Sequence, residues 1–107
     1  MAAIPAKISK ALTDYTAEIS KVCPLKKAIL FGSYASSSPH KDSDIDLALF
    51  SDQVNDNNRL KLMTLFLIEA VKYKLDIQPL AFSWKDYLDE ENDFIRDEIK
   101  KRGVEII

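Results

Sequence analysis

The apolar residues of this chain follow several distinct spacings, and each predicts an element. Ile8, Leu12, Tyr15, Ile19 and Val22 recur at three- and four-residue steps, which predicts an amphipathic helix over residues 6–22 that Pro24 ends. "KAILF", residues 27–31, is a short apolar run stopping at Gly32, the pattern of a buried strand that enters a tight turn. "SSSPHKDS" is loop chemistry throughout, and "IDLALF", residues 45–50, supplies a second strand. From about Asn55 to Tyr73, Leu60, Met63, Leu67, Ala70 and Val71 mark a helix. Leu62, Leu65, Phe66 and Ile68 widen its apolar surface past one stripe, which predicts a helix covered on two sides.

"LDIQPLAF", residues 75–82, reads as a third strand, and Pro79 assigns it to an edge or a bulge because proline cannot donate to a ladder. Ser83 with Asp86 forms an N-cap pair that opens one or two helices through "WKDYLDEENDFIRDEIKKR". Gly103 fits a left-handed C-terminal cap, leaving "VEII" as a short last strand or a docked tail. The order helix, strand, strand, helix, strand, helix is that of a small α/β or α+β fold, and no repeat or linker divides residues 1–107 into more than one domain.

Composition narrows the function classes. The formal net charge of -2, from 15 Lys and Arg against 17 Asp and Glu, offers no global field for a nucleic-acid backbone, so no direct nucleic-acid binding is expected. Cys23 is a lone cysteine and cannot form an internal disulfide; beside Pro24 it reads as a small inert apolar residue. The first residues lack a signal-peptide core and no apolar run approaches the ~20 residues that span a bilayer, so a cytoplasmic protein without membrane association is expected.

The chemistry concentrates in "GSYASSSPHKDSDIDLALF", residues 32–50. Asp44 and Asp46 stand two apart at the mouth of a strand and therefore project together, and two adjacent anions repel unless a cation neutralises them. Hard oxygen ligands of this kind suit magnesium or manganese. Asp76 opens the strand that follows the long helix, and a strand–helix–strand path returns it beside the pair if the two strands are neighbours. Three such carboxylates can hold two divalent ions about 3.5 to 4 Å apart, the arrangement that assists phosphoryl-type displacement. Gly32 permits a turn whose backbone N–H groups approach a phosphate closely, and Ser33 adds a hydroxyl donor.

Gly-Ser, ten intervening residues and then Asp-x-Asp resembles the nucleotidyltransferase superfamily of the polymerase beta type. It is most similar to the minimal single-domain members known as MNT-domain proteins, the antitoxin partners of HEPN-domain toxins. The resemblance spans nearly the whole chain in element order. It implies a mixed β-sheet flanked by helices, Gly32 and Ser33 on the β and γ phosphates of a nucleoside triphosphate, and Asp44 and Asp46 as metal ligands. Asp76 would be the third carboxylate, near the acceptor hydroxyl and able to act as its base. It further implies two Mg2+ ions, with Mn2+ as an alternative, ATP as donor, transfer of AMP to a hydroxyl of a HEPN toxin, and a hetero-oligomer. Ser36 and Ser37 stand where many relatives carry Arg-Gly, and Lys41 or His40 could supply the missing charge.

Plainer readings exist for each residue. Asp44 and Asp46 could be a solvated pair at a strand start, Asp76 a solvated strand end, and Ser33 a helix cap. His40 and Lys41 read as loop surface, Tyr34 as a packing residue, Trp84 and Tyr87 as core or interface anchors, and the acidic run after Asp89 as a solvated face. Two other functions compete: an antitoxin that works by occluding its toxin without catalysis, and transfer to a small molecule. The latter normally requires an acceptor-binding domain, and only about 30 residues follow Asp76.

Overall fold

The computed structural model describes residues 4–32 and 44–107. Helix α1, Ala6–Val22, leads to strand β1, Lys27–Phe31; strand β2, Ile45–Ser51, is followed by helix α2, Arg59–Ala70, and strand β3, Ile77–Ser83. Helix α3, Trp84–Leu88, helix α4, Phe94–Lys100, and the two-residue strand β4, Val104–Glu105, complete the chain. The sheet order is β3-β2-β1-β4, with β2 and β3 parallel and the β1 pairings antiparallel.

The sheet is the middle of three layers. Alternation along the strands sends Ala28, Leu30, Ile45, Leu47, Leu49 and Ile77 to one face, where they bury the apolar stripe of α1 and Phe66 and Ala70 of α2. It sends Ile29, Phe31, Ala48, Phe50 and Phe82 to the other face, under Ile95 and Ile99 of α4. Tyr15 fastens α1 to α2: its hydroxyl donates to the Phe66 carbonyl at 2.7 Å and its ring meets Tyr73 edge-on. Burial, aided by Glu69 and Tyr73, drives the acidity of this phenol far below that of a free tyrosine.

Most predicted elements form, with physical reasons for the differences. Pro79 lies on β3, an edge strand as expected. The Ser83 hydroxyl accepts from Asp86 N at 3.0 Å and the Asp86 carboxylate accepts from Ser83 N at 3.3 Å, completing the capping box. The acidic run then splits into two helices. The second is wound at the wider π spacing, shown where Lys101 N donates to the Arg96 carbonyl at 3.2 Å.

Helix α2 begins later than expected, because Asn55 and Asn58 occupy the backbone themselves: Asn55 Oδ1 accepts from the N–H groups of Asn57 and Asn58, and Asn58 Oδ1 accepts from Asn55 N. It is also covered on one side only. Phe66 and Ala70 are buried while Leu60, Leu65, Leu67 and Ile68 face solvent, so the expectation of cover on two sides fails within this chain.

Gly103 is likewise not a left-handed cap. Among the described glycines only Gly32 has positive φ; Gly103 is required by space, since an added Cβ would strike the Ile99 carbonyl and the Ile29 side chain. Cys23 is free and buried, as expected of a small apolar residue, with its thiol 3.5 Å from the Ser51 hydroxyl. Trp84 and Tyr87 are stacked at 4.5 Å and pack against the α4-side core. Among the described residues no helix is long and apolar enough to cross a membrane.

Candidate functional site

Strand register sets the predicted carboxylates on one face of the sheet. Asp46 is paired with Phe31 of β1 on one side and with Gln78 of β3 on the other. One residue earlier Ile45 pairs with Ile77, and Ile45 N donates to the Asp76 carbonyl at 2.7 Å. Continued toward the strand starts, this register sets Asp44 beside Asp76, on neighbouring strands about 4.8 Å apart. Alternation then places Asp44, Asp46, Asp76 and Gln78 on one face, the face that α3 and α4 cover farther along the strands. The crossover through α2 is what makes β2 and β3 parallel neighbours and brings residue 76 back to residue 44.

The carboxylates differ in setting. Asp44 and Asp76 are exposed at the strand mouths, whereas Asp46 is half-buried one step farther in. Burial first, and the charge of Asp44 second, push the Asp46 carboxyl above the usual carboxylate range. The structure thus brings Asp44 and Asp46 into electrostatic contact. Asp76 shares their face, but among the described residues no three acidic, histidine or cysteine side chains approach closely enough to hold a metal ion together. None of the ion pairs among the described residues involves Asp44, Asp46 or Asp76. A half-buried carboxylate with a second one beside it, and no cation paired with either among the described residues, is a donor set that fits a hard divalent ion.

Gly32 ends β1 against this pair. Its φ is +76°, a region L side chains rarely adopt, and an added Cβ would strike the Asp46 carboxylate, with Asp46 Cγ 3.2 Å away. Two separate constraints, backbone conformation and clearance, therefore require glycine where the chain leaves the strand. Ser33, Tyr34, Ser36, Ser37, His40 and Lys41 lie outside the described residues.

Two neighbours were not singled out from the sequence. Gln78 is exposed beside Asp46, and its place two residues after Asp76 was the available signal. Phe94, the first residue of α4, is 47% exposed and meets Phe31 edge-on at 5.8 Å, next to the residue pair that contains Asp46. Nothing in the run "NDFIRDEI" foretold that contact, because it depends on how α4 docks. A groove of about 970 Å³ lined by Asp52, Arg59, Trp84 and Asp89 lies at the opposite ends of β2 and β3. It shares no residue with the carboxylate site.

A family model described as "Polymerase beta, Nucleotidyltransferase" matches residues 7–107. No curated protein matches the chain by sequence. Among solved structures, a protein from Sulfolobus solfataricus described as a candidate nucleotidyltransferase superposes with a TM-score of 0.61 at 19% identity, over 91% of this chain and 77% of its own. A mutant MntA–HepT toxin–antitoxin gives 0.56 at 17% identity, over 89% and 72%. A tri-AMPylated Shewanella oneidensis HEPN toxin in complex with its MNT antitoxin gives 0.56 at 17% identity, over 92% and 71%. At such identities the likeness is one of fold.

Proposed function

Because this chain belongs to the polymerase beta-type nucleotidyltransferase family, we propose that it transfers AMP from ATP to a hydroxyl of a HEPN-domain toxin and so acts as that toxin's antitoxin in the cytoplasm. The observation that carries the reading is the contact of Gly32 with Asp46: a positive-φ glycine at a strand end, with clearance only for the carboxylate beside it. Solved neighbours that are toxin–antitoxin complexes, one of them tri-AMPylated and one holding AMP-PNP, support the choice of partner and donor.

In this reading Asp44 and Asp46 hold the divalent ions, Mg2+ or Mn2+, with Asp76 as third ligand, and Gly32 with Ser33 seats the triphosphate. A divalent cation bound there would neutralise the phosphate charge and favour an oxyanion nucleophile. Asp76, exposed beside Asp44, receives the acceptor hydroxyl proton. The acceptor oxygen bonds to the α-phosphorus, the bond from that phosphorus to the bridging α,β oxygen breaks, and pyrophosphate leaves with the electron pair. Most of the rate gain comes from positioning and charge neutralisation, since little covalent work falls to the protein.

The test is labelled ATP, Mg2+ or Mn2+ and a HEPN-domain protein as acceptor. Label should appear on the HEPN protein and vanish with Asp44→Asn/Asp46→Asn; absence of label under either metal defeats the proposal. A second reading, neutralisation by occlusion alone, is favoured by Ser36 and Ser37 in place of Arg-Gly and by the absence of a closed three-carboxylate cluster among the described residues. Under that reading the double Asn variant rescues cells from the toxin as well as the wild type does.

A further inference from the structure

The outer face of α2 is the most anomalous surface among the described residues. Leu60, Leu65, Leu67 and Ile68 are 78%, 45%, 47% and 61% exposed on α2, whose opposite side buries Phe66 and Ala70, and Val71, 73% exposed, opens the 3-10 turn Val71–Tyr73 that continues it. Leu60, Thr64, Leu67 and Val71 follow one another at steps of four, three and four, the spacing of the seam between two packed helices. Isolated surface leucines are ordinary, but a contiguous stripe of them marks an interaction surface. Lys61 on α2 and Lys72 on the 3-10 turn lie on the side of the stripe that also carries Leu65. Both are exposed, and Lys74 follows just beyond the helix. The only acidic residue of α2 is Glu69, which lies beyond Lys72 and accepts from it at 3.1 Å.

Those lysines decide between occupants. Two copies of this chain joined through the stripe would pack antiparallel with Leu60 of each against Val71 of the other. That arrangement sets Lys61 of each copy near Lys72 of the other, whose charge Glu69 offsets in part, and brings no carboxylate of its own to Lys61. An apolar helix ridge flanked by carboxylates supplies one and fills the same seam. We infer that the outer face of α2 docks an amphipathic helix with acidic flanks carried by the partner protein.

The identity of that partner as a HEPN-domain toxin rests on the function proposed above; the chemistry of the surface rests on α2 alone. The stripe belongs to the layer opposite α3 and α4, so this grip is separate from the face that carries Asp44, Asp46 and Asp76. A hold on the acceptor through this surface leaves the catalytic face free.

The experiment uses two synthetic helices that share one leucine–isoleucine ridge, one flanked by glutamates and one by lysines, titrated against the intact chain at low salt by fluorescence anisotropy. The glutamate helix should bind at least about tenfold more tightly. Leu67→Asp/Ile68→Asp should abolish its binding, and Lys61→Glu/Lys72→Glu should reverse the preference. Both variants change exposed residues, and unaltered circular dichroism melts confirm that they fold. Equal binding of the two helices, binding indifferent to Leu67→Asp/Ile68→Asp, or a dimer of this chain that Leu67→Asp disperses each overturns the inference.

With the HEPN-domain protein as second probe, Leu67→Asp/Ile68→Asp should weaken the complex by about a hundredfold, the scale of a lost interface centre, while Mn·ATP binding stays intact. If AMP transfer fails but the stripe variants still break the complex, the function falls and the surface stands. If transfer occurs and the stripe variants bind as the wild type does, the surface falls.

Discussion

The mouth of β2 and the outer face of α2 depart from the usual placement of side chains in opposite directions. At the mouth, the carboxylate of Asp46 is drawn half under cover beside Asp44, and a glycine leaves it just enough room. On α2, leucine, isoleucine and valine stand in water although the same helix has a well-buried inner side. A half-buried charge asks for a cation, and an exposed apolar stripe asks for another apolar surface. In the proposed function and the inferred surface the counterparts differ in kind: an ion with a polyphosphate in one place, a helix in the other.

That contrast breaks most sharply at Gly32. Gly32→Val combines a forbidden backbone angle with a collision against the Asp46 carboxylate. It should abolish metal–nucleotide binding and cost about 1–3 kcal/mol of stability, read by titration calorimetry and urea unfolding. The partner complex, if preformed through α2, should survive. Unchanged nucleotide binding by a folded Gly32→Val protein would show that the turn does not serve the site.

Tyr15→Phe is the next largest change and belongs to neither region. It removes the second donor to the Phe66 carbonyl, which keeps its helical bond within α2, and should destabilise the fold by about 0.5–1.5 kcal/mol, with both binding activities intact. Loss of partner binding in that variant would mean that the stripe depends on the α1–α2 joint and is not an independent surface.

The pH response sharpens the carboxylate side. Below the ordinary carboxylate value of 3.8 both folded and unfolded chains hold the Asp46 proton. As pH rises above it, the unfolded chain loses that proton first. The folded protein, whose Asp46 value is raised, then holds more protons, so stability falls as pH rises through the raised value. Asp46→Asn removes this loss, and its advantage over the wild type in chemical denaturation should appear between acid and neutral pH in metal-free buffer. Parallel curves for the two proteins would remove the electrostatic argument. The smallest effect is expected for Leu67→Ser, which changes a half-exposed side chain and should move stability by no more than about 0.5 kcal/mol in urea unfolding; a larger loss would mean that the stripe is part of the core.

Much of this arrangement was legible in the residues. Period-3.6 spacing located α1, which buries one apolar stripe, and short apolar runs located β1 and β2, which are buried on both faces. Pro79 announced an edge, and Ser83 with Asp86 announced a helix start. The closeness of Gly32 to Asp46 and of Asp44 to Asp46 was legible because turn chemistry and charge at a strand mouth are local signals, whereas the approach of Asp76 depends on how two strand ends meet.

What escaped was set by packing and not by pattern. Apolar residues on both sides of α2 predict cover on both sides, but the sequence cannot say whether the second cover belongs to the same chain. The asparagines before α2 delayed its start through side-chain bonds that periodicity ignores. Gly103 looked like a left-handed cap and instead clears the close approach of Ile29 and Ile99, a tertiary fact. Phe94 gained its place near the carboxylates only from the docking of α4.

The most direct test of the central claim is calorimetric titration of Mn2+ with a non-hydrolysable ATP analogue into the wild type and into Asp44→Asn/Asp46→Asn, both shown to be folded. The account predicts saturable, metal-dependent binding by the wild type and at least about a tenfold loss in the variant, as for removal of ligands from a metal site. Equal affinity in the two proteins would contradict it.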